Sequence, residues 1–504
     1  MATGEKQQLF DVLRRAGVSI VDRSSARDVA VSSLADDSRD VKKGACFVAV
    51  RGMGVDGHDF IEEAIARGAT SVVGERSLAA FSGVSTVRVG DSREALAKLA
   101  AAFYGLRGDR SRRLPLIGVT GTNGKTTVVW MLRAIMRGAG IPAALFGTIE
   151  YDLISEKIKG GLTTPGSLEM AKLLSRARDA GAKVGLLEVS SHALEQRRCD
   201  GLSFSSGVFT NLSGDHLDYH ESMDAYFAAK RRLFDLLDED GMAIVNIDDP
   251  RGEKLAALCT SRVVRYGLGE NADISGNVES MNRTRTVLRI RGEGFDQRAR
   301  LSLAGKHNAS NVLAAFAAAR SYGLSEIEIV RGLERVDGVP GRLQRVDRPG
   351  CGFTVFVDYA HTDDALCNVL RAVRPLTSGR LICIFGCGGD RDRTKRSRMG
   401  LIVAREADVA IVTSDNPRTE EPMRIIEDIL PGFRGGHTCE VEIEPDRRTA
   451  ISVAIELAEP GDTVVIAGKG HEDYQLVGDR VLPFDDASVA REMLARAGLT
   501  EGIA

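Results

Sequence analysis

The chain has no Cys-x-x-Cys pair and no Cys/His spacing suited to zinc; its eight cysteines, Cys46, Cys199, Cys259, Cys351, Cys367, Cys383, Cys387 and Cys439, are scattered. That pattern excludes a zinc framework or redox dithiol and predicts buried, reduced thiols. Neither charge sign is in surplus: 67 Lys plus Arg stand against 70 Asp plus Glu, a net charge of -3. Nothing therefore supplies the basic field that a nucleic-acid backbone requires. No apolar run approaches the ~18 residues of a membrane helix. The opening MATGEKQQLF lacks a basic stretch followed by an apolar one, so a cytoplasmic location is expected. Repeats of about 20 to 50 residues and low-complexity tracts are missing as well, which argues against solenoids and disordered tails.

What remains is ordinary globular composition, 43% hydrophobic and 27% charged. At roughly 100 to 200 residues per domain, 504 residues predict about three domains. Strand-length apolar runs (ACFVAV, TSVVGE, LIGVT, VGLLEVS, SGVFTNL, GMAIVNI, FTVFVDYA, RLICIFGC, ADVAIVTSD, DTVVIAGKG) alternate with amphipathic stretches. The predicted class is α/β, with mostly parallel sheets covered by helices. Charged GDRSRRLP and Gly/Pro-broken VDGVPGRLQ suggest boundaries that give 1–112, 113–341 and 342–504, the last with a doubly wound, Rossmann-like pattern.

The strongest local pattern is LIGVTGTNGKTTVVWMLRAIMRGAG, a strand, a Gly-rich turn and a helix. Gly121 and Gly124 let the backbone approach an anion, and the amides of the Thr122–Asn123 turn and the helix start point donors at it. Lys125 supplies a cation, and Thr126 and Thr127 supply hydroxyls, the first of them suited to magnesium. Val119 stands where the general phosphate-loop pattern has its first Gly. Glu188 ends a buried strand, where a carboxylate either caps the turn or coordinates magnesium. Other residues have bland readings of their own: His216 in a polar loop, Lys230 as a solvated helix cation, Arg198 as a surface charge, Asp358, His361 and the Pro-containing Asp415–Arg418 as turn residues.

The order TGTNGKTT, LLEVSSHAL, TNLSGDHLDYH, AAKRRLF, AGKHNASN, PGRLQ and DYAHT resembles the Mur ligase superfamily. The resemblance implies an N-terminal uridine-nucleotide domain, a central ATP domain of phosphate-loop type, and a C-terminal domain for the incoming amino acid. It implies ATP-dependent amide ligation in cell-wall synthesis, with Lys125, Glu188, His216 and Lys230 as catalytic residues. Lys230 would be carbamylated by CO2 and would hold Mg2+ with Thr126, Glu188 and His216. Asn308, Arg342, Asp358 and His361 would join the Gly121–Thr127 loop in binding ATP.

DDSRDVKKGACFVAVRGMGVDGHDFI is similar to the substrate-nucleotide segment of the family's diamino-acid-adding members. Ser38, Met53, Gly54 and Val55 fall at contact positions, although the commoner form of the last three is His-Gln-Ala. Thr163, Thr164, Ser190, Gln196 and Arg198 match further positions for the same substrate. Arg391, Asp415, Asn416, Pro417, Arg418, Gly468 and Glu472 match the acceptor pocket. Arg418 favours meso-diaminopimelate over L-lysine, because a guanidinium can grip the extra carboxylate through two parallel bonds. The implied substrates are UDP-N-acetylmuramoyl-L-alanyl-D-glutamate, meso-diaminopimelate and ATP, with the chain acting as a monomer. A lysine-adding ligase, a folylpolyglutamate synthase-like ligase and a non-catalytic nucleotide-dependent regulator remain as alternatives.

Overall fold

Five short runs build the first sheet: β1 (Ile20–Asp22), β2 (Ser33–Ala35), β3 (Ala45–Val48), β4 (Ala69–Gly74) and β5 (Ser85–Val89), in the order β1-β5-β4-β3-β2. All pairs are parallel except the edge strand β1. The computed structural model describes residues 6–52, 54–77, 81–107, 113–214, 217–283, 285–303, 305–347 and 350–498. It forms two compact units, Met1–Ser275 with Leu313–Gly332, and Gly276–Val312 with Leu333–Ala504.

In the first unit, α1 (Ser92–Phe103) starts where the Asp91 carboxylate accepts from the Glu94 amide, an N-cap bond that satisfies one of the first-turn donors left without an intrahelical partner. The central elements follow: β6 (Leu116–Thr120), α2 (Lys125–Gly138), β7 (Ala143–Phe146), β8 (Glu150–Asp152), β9 (Lys157–Lys159), α3 (Ser167–Asp179), β10 (Val184–Glu188), α4 (Ser191–Glu195), β11 (Phe204–Phe209), α5 (Met223–Asp235), β12 (Leu237–Asn246), β13 (Arg262–Gly267) and the first residues of β14 (Ile274–Met281). They order as β9-β8-β7-β10-β6-β11-β12-β13-β14, parallel from β7 onward and antiparallel at the β7-β8-β9 edge. β6 and β10 are buried throughout and side by side, as continuous apolar runs in a doubly covered parallel sheet should be. One apolar cluster runs from Leu9 and Leu34 through Leu96 and Leu99 to Leu174, Phe204 and Leu255, so the first and central sheets share a core.

The second unit holds an antiparallel hairpin, β15 (Thr286–Gly292) with β16 (Phe295–Leu301), and the start of α6 (Lys306–Ser321). Its larger part comprises β17 (Gln344–Arg345), β18 (Thr354–Asp358), α7 (Asp363–Val373), β19 (Leu381–Phe385), α8 (Thr394–Glu406), β20 (Val409–Val412), β21 (Glu440–Ile443), α9 (Arg447–Leu457), β22 (Thr463–Ala467), the hairpin β23 (Tyr474–Val477) and β24 (Arg480–Pro483), and α10 (Asp486–Arg496). The sheet order is β17-β18-β22-β19-β20-β21, parallel except at β17. Side chains alternate between two cores, as the strand period of two requires. Cys383 and Phe385 face α7 and α8, while Ile382 and Ile384 face α9 and α10. This is the expected doubly wound domain.

All eight cysteines are free; Cys46, Cys199, Cys351, Cys383 and Cys387 are buried as expected. Cys259, Cys367 and Cys439 are only half-buried, a correction to the expectation of eight buried thiols. Among the described residues no helix is long and apolar enough to cross a membrane. GDRSRRLP falls mostly on residues 108–112, outside the described residues.

Candidate active site

The Gly-rich turn sits between β6 and α2, at the carboxyl edge of the central sheet, where open α/β sheets hold ligands. Gly121 has φ 146°, and a Cβ there would run into Thr210 Oγ1. Only glycine fits. The segment after β11 clasps the turn: Thr122 N donates to Asn211 O at 2.9 Å, Asn123 N to Asn211 Oδ1 at 2.9 Å, and Thr210 Oγ1 to Asn123 O at 2.6 Å. Lys125 Nζ donates to Gly121 O and Thr122 O, each at 2.8 Å.

Lys230, on α5, is buried rather than solvated, which corrects the bland reading of the sequence. Its Nζ donates to the same Gly121 O at 2.8 Å and lies 4.3 Å from the Tyr226 ring centroid. The helix places them together because residues four apart share a face. The Tyr226 hydroxyl is 3.1 Å from Thr122 Oγ1.

Glu188, at the end of β10, is 1% exposed. Its Oε2 accepts from Thr126 Oγ1 at 2.9 Å and Thr148 Oγ1 at 3.1 Å, and its Oε1 accepts from Thr148 N at 2.9 Å. Thr148 also meets Thr163, their hydroxyls 3.0 Å apart. Thr164 Oγ1 donates to Glu188 O at 2.8 Å and accepts from Ser190 N at 3.0 Å; Ser190 Oγ caps α4. Arg198 is half-buried, and burial draws its pKa below the ordinary guanidinium value. It donates to Thr164 O at 2.8 Å and to Gln196 Oε1 at 2.8 Å, both neutral acceptors, so the cation keeps its capacity for an anion. Gln196 Nε2 donates to Tyr219 Oη at 3.1 Å. The structure therefore gathers Gly121–Thr127, Thr163, Thr164, Glu188, Ser190, Gln196, Arg198 and Lys230 around one sheet edge.

In the first sheet's region, Ser38 Oγ donates to Glu63 at 2.9 Å, and Val55 is 61% exposed beside Gly54. Met53 and His216 lie outside the described residues.

In the second unit the sequence-predicted acceptor residues meet at the carboxyl ends of β19, β20 and β22. Asn416 Nδ2 donates to Glu472 Oε2 at 2.9 Å, and Lys469 Nζ donates to both Asn416 Oδ1 and Glu472 Oε2 at 3.1 Å. Gly468, at φ 117°, leaves room for Asp415. Arg418 adopts φ 53°, a strained value for a non-glycine residue. It is stitched to β23 by Arg418 N to Leu476 O at 3.0 Å and Gly478 N to Arg418 O at 2.7 Å, and its Nη1 donates to Gly389 O at 2.7 Å. Pro417 is buried within this turn, and Arg391 is exposed on the facing loop.

On the same sheet, Asp358 accepts from the Leu343 and Ala360 amides at 2.7 and 2.8 Å. Burial pushes its carboxyl up, with Arg342 pulling the other way. The Arg342 guanidinium lies 5.1 Å from the Tyr359 ring, and His361 Nδ1 is 2.8 Å from Tyr359 O. Asn308 is buried and accepts from Asn311 at 3.2 Å.

Sequence reasoning missed Thr148, Tyr226, Asn211, Asn311, Lys469, Arg396 and Arg447. Arg396, fully buried on α8, donates to Glu420 at 2.8 and 3.0 Å. That pairing, with the Asp390 amide, pulls the Glu420 carboxyl down to about 2. No local pattern marks such residues, since an arginine bound for the interior looks like a surface arginine in one sequence.

Three family descriptions match the chain: "Mur ligase family, catalytic domain" over 30–104, "Mur ligase middle domain" over 119–319 and "Mur ligase, glutamate ligase domain" over 341–470. The UDP-N-acetylmuramoyl-L-alanyl-D-glutamate--2,6-diaminopimelate ligase of Geobacter metallireducens is 44% identical, covering 93% of this chain and 94% of that protein. Its namesake from Gloeobacter violaceus is 43% identical over 97% of this chain and 98% of that one. A solved structure of a ligase with the same name is 32% identical, with a TM-score of 0.69 over 94% of this chain and 96% of that one. Mycobacterium tuberculosis folylpolyglutamate synthase, complexed with ADP, shares the fold at 19% identity and a TM-score of 0.58, over 81% of this chain and 95% of that one.

Proposed function

The chain belongs to the Mur ligase family, and on that premise we propose that it joins meso-2,6-diaminopimelate to UDP-N-acetylmuramoyl-L-alanyl-D-glutamate at the expense of ATP. It is an ADP-forming amide ligase of peptidoglycan synthesis. The geometric observation that carries this reading is the convergence of Lys125 and Lys230 on one carbonyl, Gly121 O, beside the Thr126–Glu188 pair. A nucleotide loop flanked by that pair is built for phosphoryl transfer, in which positioning and charge neutralisation do most of the catalysis.

The D-glutamyl carboxylate attacks the γ-phosphorus of ATP, the bond to ADP breaks, and an acyl phosphate forms. The diaminopimelate amine then attacks the acyl carbon, loses a proton, and phosphate leaves. Lys125 neutralises the terminal phosphates. Arg198, Thr164 and Ser190 hold the anionic peptide. Arg418 grips the distal carboxylate of diaminopimelate, with Arg391 beside it, and Glu472 faces its ammonium. Asn308, Arg342, Asp358 and His361 attend the nucleotide, and Ser38 and the Met53–Val55 stretch attend the uridine end. Residues 1–112, 113–341 and 342–504 form the three domains of a monomeric, cytoplasmic enzyme.

Magnesium prefers hard oxygen donors and completes its shell with substrate phosphates and water. Thr126 Oγ1 and the Glu188 carboxylate, 2.9 Å apart, fit that demand, and among the described residues no cluster of three or more His, Cys, Asp or Glu offers an alternative cage. His216 completes the proposed set. At Lys230 the ammonium would lose one proton before CO2 adds to Nζ and a second on carbamate formation, turning a positive charge into a negative one and leaving one N–H to donate to Gly121 O. When bound, magnesium supplies charge neutralisation at the transferring phosphoryl group.

The test is phosphate release from ATP, magnesium and UDP-N-acetylmuramoyl-L-alanyl-D-glutamate with meso-diaminopimelate or L-lysine as acceptor. Release with diaminopimelate is expected. Release with lysine alone would overturn the role of Arg418, and release with neither would overturn the ligase.

A further inference from the structure

Arg447 opens α9 and is fully buried, as is its partner Asp486 at the start of α10. Two parallel bonds join them, Nε to Oδ1 at 2.8 Å and Nη2 to Oδ2 at 2.7 Å. Such a pair is weak evidence of stabilisation, because apolar residues of similar volume often replace buried ion pairs without loss. Two more of its donors go to backbone carbonyls: Nη1 to Ser414 O at 3.2 Å and Nη2 to Ala467 O at 2.9 Å. Ser414 directly precedes Asp415, and Ala467 directly precedes Gly468.

Ser414 lies two residues past the end of β20 and Ala467 ends β22, strands that are not neighbours, since β19 lies between them. Past the end of β19 stands Gly386, where a Cβ would strike Thr413 O and crowd Ser414 C and Asp415 N at 3.0 Å. The flanking segment closes over that gap, and one guanidinium spans from it to β22. Beyond the bridge lie the contacts of the acceptor pocket, Asn416 to Glu472 at 2.9 Å and Lys469 to both at 3.1 Å.

We propose that Arg447, oriented by Asp486, is a positioning residue for the acceptor amino acid. It sets the spacing between the Asp415–Arg418 turn and the Gly468–Glu472 loop, so α10, through Asp486, helps to define acceptor affinity without touching the acceptor. The proposal rests on the acceptor reading given above.

The experiment measures KM for meso-diaminopimelate, ATP and the UDP-linked dipeptide in Arg447→Lys, Asp486→Asn and, as a reference, Arg418→Ala, each with its melting temperature. A misplacement of about 1 Å can cost about 100-fold. The expected result for Arg447→Lys and Asp486→Asn is a rise in the diaminopimelate KM of about tenfold or more, with the other two KM values within about twofold. A folded variant with unchanged diaminopimelate KM, or with all three KM values raised alike, overturns the proposal. Failure of both variants to fold makes the pair a stability device and overturns it as well. If Arg418→Ala also leaves the diaminopimelate KM unchanged, the acceptor reading itself has failed.

Discussion

Gly121 carries two constraints at once, a positive φ and the Thr210 hydroxyl where a Cβ would stand. Gly121→Ala should therefore shift the turn, strain it by about 1–3 kcal/mol, and lower kcat/KM for ATP by about 100-fold. Binding of the UDP-linked dipeptide, measured calorimetrically, should change little; normal ATP kinetics would contradict the geometry. Lys230→Ala should abolish turnover, with short carboxylic acids restoring part of it, and 13C-bicarbonate should label the wild-type side chain. An active Lys230→Ala enzyme would remove Lys230 from the mechanism. Arg418→Ala loses charge-assisted bonds worth about 1.5–3 kcal/mol each, so the diaminopimelate KM should rise about 100-fold while the ATP KM stays within about twofold. A parallel loss of ATP affinity would tell against the pocket. At this scale the sequence was most informative where chemistry needs an unusual residue in an unusual place, as at Gly121 and Lys125. Lys230 was legible only through resemblance, because burial depends on which helix face meets the sheet.

The loop elements of the second unit are held by charge. Glu420 accepts from Arg396 and from the Asp390 amide at 2.6 Å, and its carboxyl is held down to about 2. An unfolded glutamate titrates near about 4.3. The folded value is the lower one, so the contribution is fully present above the unfolded value and is lost as pH falls from about 4.3 to about 2. Glu420→Gln should cost about 2 kcal/mol at neutral pH. In urea unfolding across pH, the gap between wild type and variant should shrink as pH drops through that window; a constant gap would mean the carboxylate is not the source. Four strands of this unit, β18, β19, β20 and β22, were readable as apolar runs, and their alternation between two cores follows from the pleat; the charge-bearing β15 and β16, the two-residue β17 and the exposed β21 were not. The hairpin Tyr474–Val477 with Arg480–Pro483 was not, because its first strand is only partly covered and its second is exposed throughout.

At the scale of the whole chain, the charged stretch before Pro115 suggested a first domain with a core of its own. The first region has such a core on one face of its sheet, from Ala35 and Phe47 to Ile61 and Val72, while on the other face one apolar cluster runs through both regions of the first unit. Helix α1 is apolar on nearly every side, burying Ala95, Leu96, Leu99, Ala100, Ala102 and Phe103. Periodicity identifies such a helix but not the second surface it covers, which here is α3. Polar contacts reinforce the join: Arg178 donates to Gly105 O at 2.9 Å, and Arg197 pairs with Asp91 at 2.9 Å and Glu94 at 3.1 Å. A shared core predicts shared opening, since regions that exchange apolar contacts lose them cooperatively. In native-state hydrogen exchange, the amides of Val72 and Val73 in β4 should open with the same denaturant dependence as those of Ile117 in β6 and Leu186 in β10. Opening of β4 at a free energy lower by more than about 2 kcal/mol would show that the first sheet melts by itself, and that the cluster is an interface between two cores rather than one core.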